Sequence, residues 1–470
     1  MADLPPRRWL VRGLLGAIVV SLLLFSGVLT LSYEEPTLEA DVTESAPEGD
    51  TVVASQGWNA RNVSLPGRPA RLVSVNESGA VEWTHDGPDG VDNWFYDVDP
   101  LPNGNLLVVN PVQGNTVVYE YDPRTQKRVW TERFDLVDIH DVDLINGDEL
   151  LVAGINYDEN RPSRDRVFVY NRTADEVTWK WLFKNHYPAD ADKGVRTEDW
   201  THVNDVDAVR DGEFLVSVRN MDQVISINRS TKDIELRLGA DDDHDTLYEQ
   251  HNPTYFESEN GTPTILVADS ENDRIVEYAR VGGPPGEGEW KRTWTLTGDL
   301  NWPRDADRLP NGNTLVVDSM NHRVIEVTPA GEVVWEMDAP WATYDAERIA
   351  HGDEPGGPTI TDQNASGNVT LYGGSETGVS GAPTIPSVVK GVVAKTPLPA
   401  GVTGLAESWR RVSPWFKPTW MPIWAFSIVV VSLGVLLVWG VGEGVYQRRR
   451  IQRRLAGSLG NVRHRLERGR

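Results

Sequence analysis

The chain has 470 residues, a formal net charge of −25 and no cysteine. Disulfides, thiolate nucleophiles and cysteine-held zinc or iron–sulfur centres are therefore excluded. Asp and Glu number 70 against 45 basic residues, of which only 9 are lysine; this balance keeps a surface hydrated at high salt and predicts a halophilic protein.

Residues 1–12 carry Arg7, Arg8 and Arg12, and Gly13 to Leu31 follow as an uncharged apolar run of 19 residues. That length spans a bilayer, so 13–31 is predicted to be a transmembrane helix rather than a cleaved signal peptide. Residues 32–57 are acidic and polar and read as a stalk.

From 58 to about 375 one unit recurs. It opens on an acidic phrase: Tyr96-Asp-Val-Asp99, His140-Asp-Val-Asp143, Asn204-Asp-Val-Asp207, Arg304-Asp-Ala-Asp307 and Tyr344-Asp-Ala-Glu347, with a degenerate copy at His251-Asn-Pro-Thr254. A turn pair such as Asn103-Gly104 or Asn311-Gly312 comes next, then an apolar strand, a polar loop and an alternating strand. Asn-Gly between apolar runs is a strong hairpin signal because both residues accept positive φ. Fourth strands often carry Trp, as in Thr178-Trp-Lys-Trp181. Four short antiparallel strands recurring in this way predict propeller blades. The strands at Arg71–Val75 and Val81–Trp83 have no acidic phrase before them, and the phrase at Tyr344 has poor outer strands after it. Joining the two closes a six-bladed ring with no open edge. The fold class is thus all-β: a six-bladed β-propeller flanked by N- and C-terminal transmembrane helices.

Residues 376–417 read as a linker and juxtamembrane segment, and 418–442 as a second transmembrane helix with Trp420, Trp424 and Trp439 toward its ends. The basic tail, 443–470, directly follows a spanning helix. It therefore reads as positive-inside topology and contact with membrane lipid, not as a nucleic-acid-binding arm. Both termini are expected in the cytoplasm and the propeller outside. Asn62, Asn76, Asn171, Asn228, Asn260, Asn364 and Asn368, each in an Asn-x-Ser/Thr triplet, all fall on the external side.

Innermost strands line a propeller's channel, so Tyr96, His140, Asn204, His251, Arg304 and Tyr344 are predicted to form a ring at one depth. His202 lies two residues before Asn204, on the same side of the strand. Arg219 stands where other blades carry Pro111, Ser270 and Ser319, and an Arg there is suited to binding an oxyanion with two N–H groups. Such a ring makes an anion-binding, proton-transferring pocket. One Asp of each phrase is expected to cap a turn or bond the adjacent blade. No metal and no cofactor are expected. The phrases lack the dense oxygen spacing of a calcium loop, and the three histidines lack a short zinc-ligand spacing.

Four segments resemble the arylsulfate sulfotransferase family, which uses phenolic sulfate esters instead of a nucleotide donor. They are His140-Asp-Val-Asp143 with its turn and strand, Asp199-Trp-Thr-His-Val-Asn204, Phe214-Leu-Val-Ser-Val-Arg219 running into Val224-Ile-Ser-Ile-Asn228, and Gln250-His251. The resemblance spans about residues 60–350 and implies a six-bladed propeller with its active site in the channel. It implies that His251 accepts the sulfuryl group as a sulfohistidine. It further implies that His140, His202 and Arg219 bind the sulfate oxygens and that Asn204 orients His202 or the nucleophile. Tyr96, Arg304 and Tyr344 complete the substrate-binding set. The implied partners are a phenolic sulfate donor and a phenolic acceptor. A non-catalytic propeller that binds a ligand or protein at its central funnel is the alternative; three histidines at related positions favour transfer chemistry.

Overall fold

The computed structural model describes residues 7–33, 38, 40–42, 48–57, 70–87, 94–112, 114–157, 162–195, 199–284, 289–339, 342–374, 384–396, 399 and 401–467; Asn62 lies outside them. The chain divides into two compact units, Pro36–Val388 and a second made of Met1–Glu35 with Val389–Arg470.

The first unit is a six-bladed β-propeller. Blade 1 comprises Asp97–Pro100, Leu106–Val112, Asn115–Asp122 and Lys127–Phe134; blade 2 comprises Val142–Ile145, Glu149–Gly154, Arg166–Asn171 and Glu176–Leu182. Blade 3 is Val203–Arg210, Glu213–Val218, Gln223–Asn228 and Ile234–Gly239; blade 4 is His251–Glu257, Pro263–Asp269, Arg274–Gly282 and Glu289–Thr297. Blade 5 is Pro303–Arg308, Thr314–Asp318, Arg323–Val327 and Glu332–Asp338. Blade 6 takes its inner strand, Thr343–Arg348, from the far end of the propeller sequence and its outer three, Thr51–Ser55, Arg71–Val75 and Val81–His85, from the near end. The N-terminal strands thus close the ring. Thr51–Ser55 lies within the stretch that reads as a stalk, and it pairs with both Thr343–Arg348 and Arg71–Val75. Ala40–Val42, also in that stretch, adds to the outer edge of blade 5.

Each interface between neighbouring blades encloses one buried apolar cluster. Leu151, Val169 and Trp181 of blade 2 meet Val216 and Ile225 of blade 3, for example, and Val52 and Leu72 of blade 6 meet Val98 and Leu106 of blade 1. Middle strands are buried on both faces, which is why they read as continuous apolar runs instead of alternating ones. The tryptophans of the outer strands seal these interfaces. Trp179 and Trp181 of blade 2 donate their indole N–H groups to the carbonyls of Arg229 and Lys232, and Trp294 of blade 4 donates to Pro329. Apolar area is buried while the one polar atom is satisfied. Buried Arg–Glu pairs repeat around the ring: Arg308 reaches back to Glu277 at 3.0 Å and Arg348 to Glu326 at 2.8 Å.

The second unit holds α1 (Arg7–Leu31), α2 (Ile385–Val393, which starts just inside the first unit), α3 (Gly401–Phe416) and α4 (Ile423–Glu467). Trp9–Leu31 and Ile423–Arg448 are long and apolar enough to cross a membrane, with mean hydropathies of 2.5 and 2.3. Arg12 of α1 pairs with Glu443 of α4, and the Ser26 hydroxyl donates to the Ala425 carbonyl at 3.0 Å.

Candidate active site

The acidic phrases occupy the innermost strands, but strict alternation would turn the variable residue and the acids to opposite faces. A break in register resolves this. Pairing skips between Val203 and Asp205, His251 and Thr254, and Pro303 and Asp305, and at Tyr344 between the partners of Ala54 and Ser55. Bulges of this kind re-aim a side chain. Blades 1 and 2 reach the same end differently, because Tyr96 and His140 precede the first paired residue of their inner strands.

The ring residues come together. Ring centroids lie 4.1 Å apart for Tyr96–His140, 4.5 Å for Tyr96–Tyr344, 4.8 Å for His140–His202 and 5.9 Å for His251–Tyr344. The Arg304 guanidinium sits over Tyr344 at 4.5 Å and over Trp302 at 4.4 Å, and its Nη1 donates to Gln56 at 2.5 Å. The Asn204 amide donates at 2.9 Å to the carbonyl of Gln250, the residue before His251. Arg219 opens a short 3₁₀ turn after the second strand of blade 3, as Ser270 and Ser319 do in blades 4 and 5. It pairs with Glu249 and donates to Asn220 at 3.0 Å.

His251 is held by that same structural position one blade on. Its Nδ1 lies 2.8 Å from Ser270 Oγ, and Ser270 Oγ lies 2.7 Å from the Pro303 carbonyl and 3.3 Å from that of Ala268. A carbonyl only accepts, so the single hydroxyl hydrogen is directed to it. Nδ1 therefore carries the proton and donates to Ser270, which leaves the lone pair on Nε2. Burial pushes the His251 pKa well below its ordinary value, and the nearby Arg304 and Arg219 push it in the same direction. His202 is depressed likewise, by burial and then by Arg219 and His140. Its Nδ1 lies 2.8 Å from both Asp199 oxygens.

A second ring escapes the sequence reading. Two residues before each ring position stand Trp94, Asp138, His202, Glu249, Trp302 and Ala342. Of these, only His202 is singled out by sequence. His202, Glu249 and Trp302 all adopt positive φ, at 43°, 47° and 54°. Such backbone is costly for non-glycine residues and gathers at functional sites. It is held in place here: Glu249 N–H donates to Asp222 at 2.9 Å and Trp302 N–H to Asp273 at 2.9 Å. Asp138 accepts from Tyr96 at 3.0 Å and Tyr157 at 2.5 Å, and lies 3.3 Å from His140 Nε2. Burial acts to raise the Asp138 pKa, but the neighbouring His140 and His202 rings and the Tyr157 hydroxyl together outweigh it and hold the carboxyl below the usual range. His140 Nδ1 meets the Tyr344 hydroxyl at 2.8 Å. Burial raises both ring tyrosines, so their hydroxyls stay protonated as donors. Arg219 Nε and Arg304 Nε are buried without a hydrogen-bond partner among the described residues. Unspent cationic donors of this kind suit an oxyanion.

Residues 64–261 match the family model Arylsulfotransferase (ASST). The match covers less than half of the chain and includes His140, His202, Asn204, Arg219 and His251; Arg304 and Tyr344 lie beyond it. No curated protein matches the chain. Among solved structures, a protein of unknown function from Bacteroides caccae is similar at 13% identity and a TM-score of 0.42, covering 69% of this chain and 98% of its own. Virginiamycin B lyase from Staphylococcus aureus is similar at 6% identity and a TM-score of 0.38, covering 64% and 89%. A chain of the nidogen/laminin complex is similar at 13% identity and a TM-score of 0.42, covering 63% and 97%.

One acid of most phrases bonds the adjacent blade, as expected, and the acids also share a cavity. Both members of each pair line a cavity in the channel. The first acid also bonds the next blade. Asp97 accepts from Val142 N–H at 3.3 Å, Asp345 from Val98 N–H at 2.8 Å, Asp141 from Val206 N–H and Asp305 from Ala346 N–H. Asp205 breaks the series, because the matching residue of blade 4 is Pro253, which has no N–H to give.

Proposed function

We propose that the chain is a membrane-anchored arylsulfate sulfotransferase that uses no nucleotide donor and moves a sulfuryl group from a phenolic sulfate to a phenol by way of a sulfohistidine at His251. One conjunction carries the reading: a neutral His251 with its lone pair fixed on Nε2, among unspent cationic donors, in a segment matched by the arylsulfotransferase family model.

In the first half-reaction His251 Nε2 attacks the sulfur of the aryl sulfate. The N–S bond forms, the S–O bond to the ring breaks, and its electron pair leaves on the phenolate. Arg219 and His140 bind the sulfuryl oxygens and Arg304 adds positive charge, while His202, whose Nδ1–H donates to Asp199, keeps its Nε2 lone pair for the second half. The imidazole keeps its Nδ1 proton on Ser270 throughout, so the sulfohistidine is a zwitterion held in place. In the second half an acceptor phenol occupies the vacated site. His202 Nε2, its ring oriented by Asp199, takes the phenol proton as the oxygen attacks sulfur, and the N–S electron pair returns to His251. The proton then passes to solvent, where the released phenolate takes one up. Fixed donors and a preoriented nucleophile lower the barrier without reorganisation at the moment of reaction.

The basic segments flanking the apolar helices place both termini in the cytoplasm and the propeller outside under this proposal, and the acidic, lysine-poor composition places the enzyme in a saline environment. The test is an assay of the full chain in detergent and high salt with p-nitrophenyl sulfate and a phenol acceptor. Release of p-nitrophenol that depends on the acceptor, and an added sulfuryl mass on a His251 peptide, are the expected results. Transfer by His251→Ala at the wild-type rate would sink the assignment.

A further inference from the structure

The cavity on the inner strands is lined by fifteen residues, and all but Asn252, Pro253 and Thr254 are carboxylates. Five phrases supply two acids each, and Asp353 and Glu354 supply two more, so twelve carboxylates face one space with no Lys or Arg among its lining residues. The Arg–Glu pairs of the blades show how this fold neutralises a buried acid elsewhere. Among the described residues no lining cation does so here.

A cluster of acids alone is no site, but the oxygens here are unspent. Asp205 Oδ2, Asp305 Oδ2, Asp307 Oδ2 and Glu347 Oε2 are buried without a hydrogen-bond partner among the described residues, in residues no more than 5% exposed. Asp205 also lacks the backbone N–H that every other first-position aspartate receives from the following blade, because Pro253 has none to give. One oxygen each from Asp141, Asp205 and Asp207 lies within 4.8 Å of the others, and the same holds for Asp305, Asp345 and Glu347. Oxygens on a calcium ion stand about 2.3–2.6 Å from it, so a coordination sphere is about 4.8 Å across. The cavity of about 30 Å³ holds about two water-sized occupants. That leaves little room for the retained water that magnesium prefers.

We propose that the channel binds two divalent cations of the calcium class, one at Asp141, Asp205 and Asp207 and one at Asp305, Asp345 and Glu347. Each ion joins acids from two neighbouring blades, blades 2 and 3 in one case and blades 5 and 6 in the other. The ions therefore act as staples of the ring, and the inference stands on the fold independently of the proposed reaction.

The experiment uses the full chain purified in detergent, equilibrated with calcium at constant high sodium chloride and then desalted. Elemental analysis is expected to find about two calcium ions per chain. EDTA removes them and lowers the melting temperature, and added calcium restores it. The double variant Asp305→Asn/Glu347→Gln is expected to retain half the wild-type calcium, as is Asp205→Asn/Asp207→Asn. A desalted wild-type chain without calcium, or a melting temperature that responds to sodium chloride but not to EDTA and calcium, overturns the proposal. Should a variant fail to fold, the calcium content and paired melts of the wild type decide alone. Sulfuryl transfer is assayed separately, so a chain that binds calcium without transferring sulfate, or the reverse, tells the two readings apart.

Discussion

Replacing Ser270 by alanine tests the argument that fixes the nucleophile. The hydroxyl accepts from His251 Nδ1 at 2.8 Å and donates to the Pro303 carbonyl at 2.7 Å. Its loss removes the contact that selects the Nδ1–H tautomer, while Arg304, Arg219 and the tyrosines remain to bind the anion. A neutral hydrogen bond contributes about 0.5–1.5 kcal/mol net. If that energy goes entirely into presenting Nε2 to sulfur, kcat falls about 2- to 13-fold. KM for the sulfate donor is unchanged, because the sulfate oxygens meet other groups. The Pro303 carbonyl also loses a donor, so stability falls by about 1–3 kcal/mol; the assay is therefore run well below the variant's melting temperature. Stopped-time release of p-nitrophenol across donor concentrations separates kcat from KM. Wild-type kcat in Ser270→Ala, beside a dead His251→Ala, would refute the tautomer argument. A rise in KM alone would mean that Ser270 shapes the anion site and not the nucleophile.

Arg219→Met removes the cationic donor proposed to bind the sulfuryl group and should cost about 10²- to 10³-fold in kcat, measured with the same donor and acceptor. Because burial and two arginines depress the His251 pKa below its ordinary 6.5, kcat/KM should hold steady as pH falls through 6.5; a loss of activity titrating at that value would show His251 to be solvated. The same depression in His251 and His202 contributes stability that is present above 6.5 and lost as pH falls toward the lowered values, which thermal melts of wild type and the double Ala variant compare. Arg308→Ala leaves Glu277 buried without its 3.0 Å partner and should cost about 3–5 kcal/mol in denaturant unfolding. A chain truncated to begin at residue 58 lacks Thr51–Ser55, the strand joining the inner and outer halves of blade 6; it should fail to give a cooperative melt, whereas one beginning at residue 36 should melt as the intact propeller does.

The repeat was legible because its constraints are local. Asn-Gly turns and alternating strands declare a blade within about forty residues, and an unmatched phrase at Tyr344 can be paired by elimination with unmatched strands at Arg71 and Val81. The strand before them was not legible. Thr51-Val-Val-Ala-Ser55 is short and sits at the end of an acidic stretch, and its partner lies nearly three hundred residues away at Thr343–Arg348. Nothing local marks it. The ring residues could be aligned by letter, but in blades 3 to 6 a break in pairing turns them toward the channel together with their acids, and a one-residue break leaves no mark on composition. Asp138, Glu249 and Trp302 were within reach of an argument already made for His202: each stands two residues before a ring position, and repeating that offset around the ring would have found them.

The acidic channel shows where chain-order reasoning misleads. A calcium loop is recognised in sequence because one short segment supplies most of its ligands. Symmetry allows another solution, in which each of several distant segments supplies one or two. Asp141 and Asp205, or Asp305 and Asp345, are separated by tens of residues, yet each pair places oxygens within 4.8 Å. The spacing that argues against a metal along the chain is therefore irrelevant across it. The degenerate phrase joins both ends of the channel. At one end His251 takes the ring position and presents a nitrogen lone pair. At the other, Pro253 has no N–H to give to Asp205. A single departure from the repeat thus sets the proposed nucleophile on one side and removes one backbone donor from the acidic cavity on the other. Restoring the frame with Pro253→Val tests this: Asp205 gains the N–H that Asp141, Asp305 and Asp345 already accept, so calcium retention should stay at the wild-type level while His251, still held by Ser270, continues to transfer.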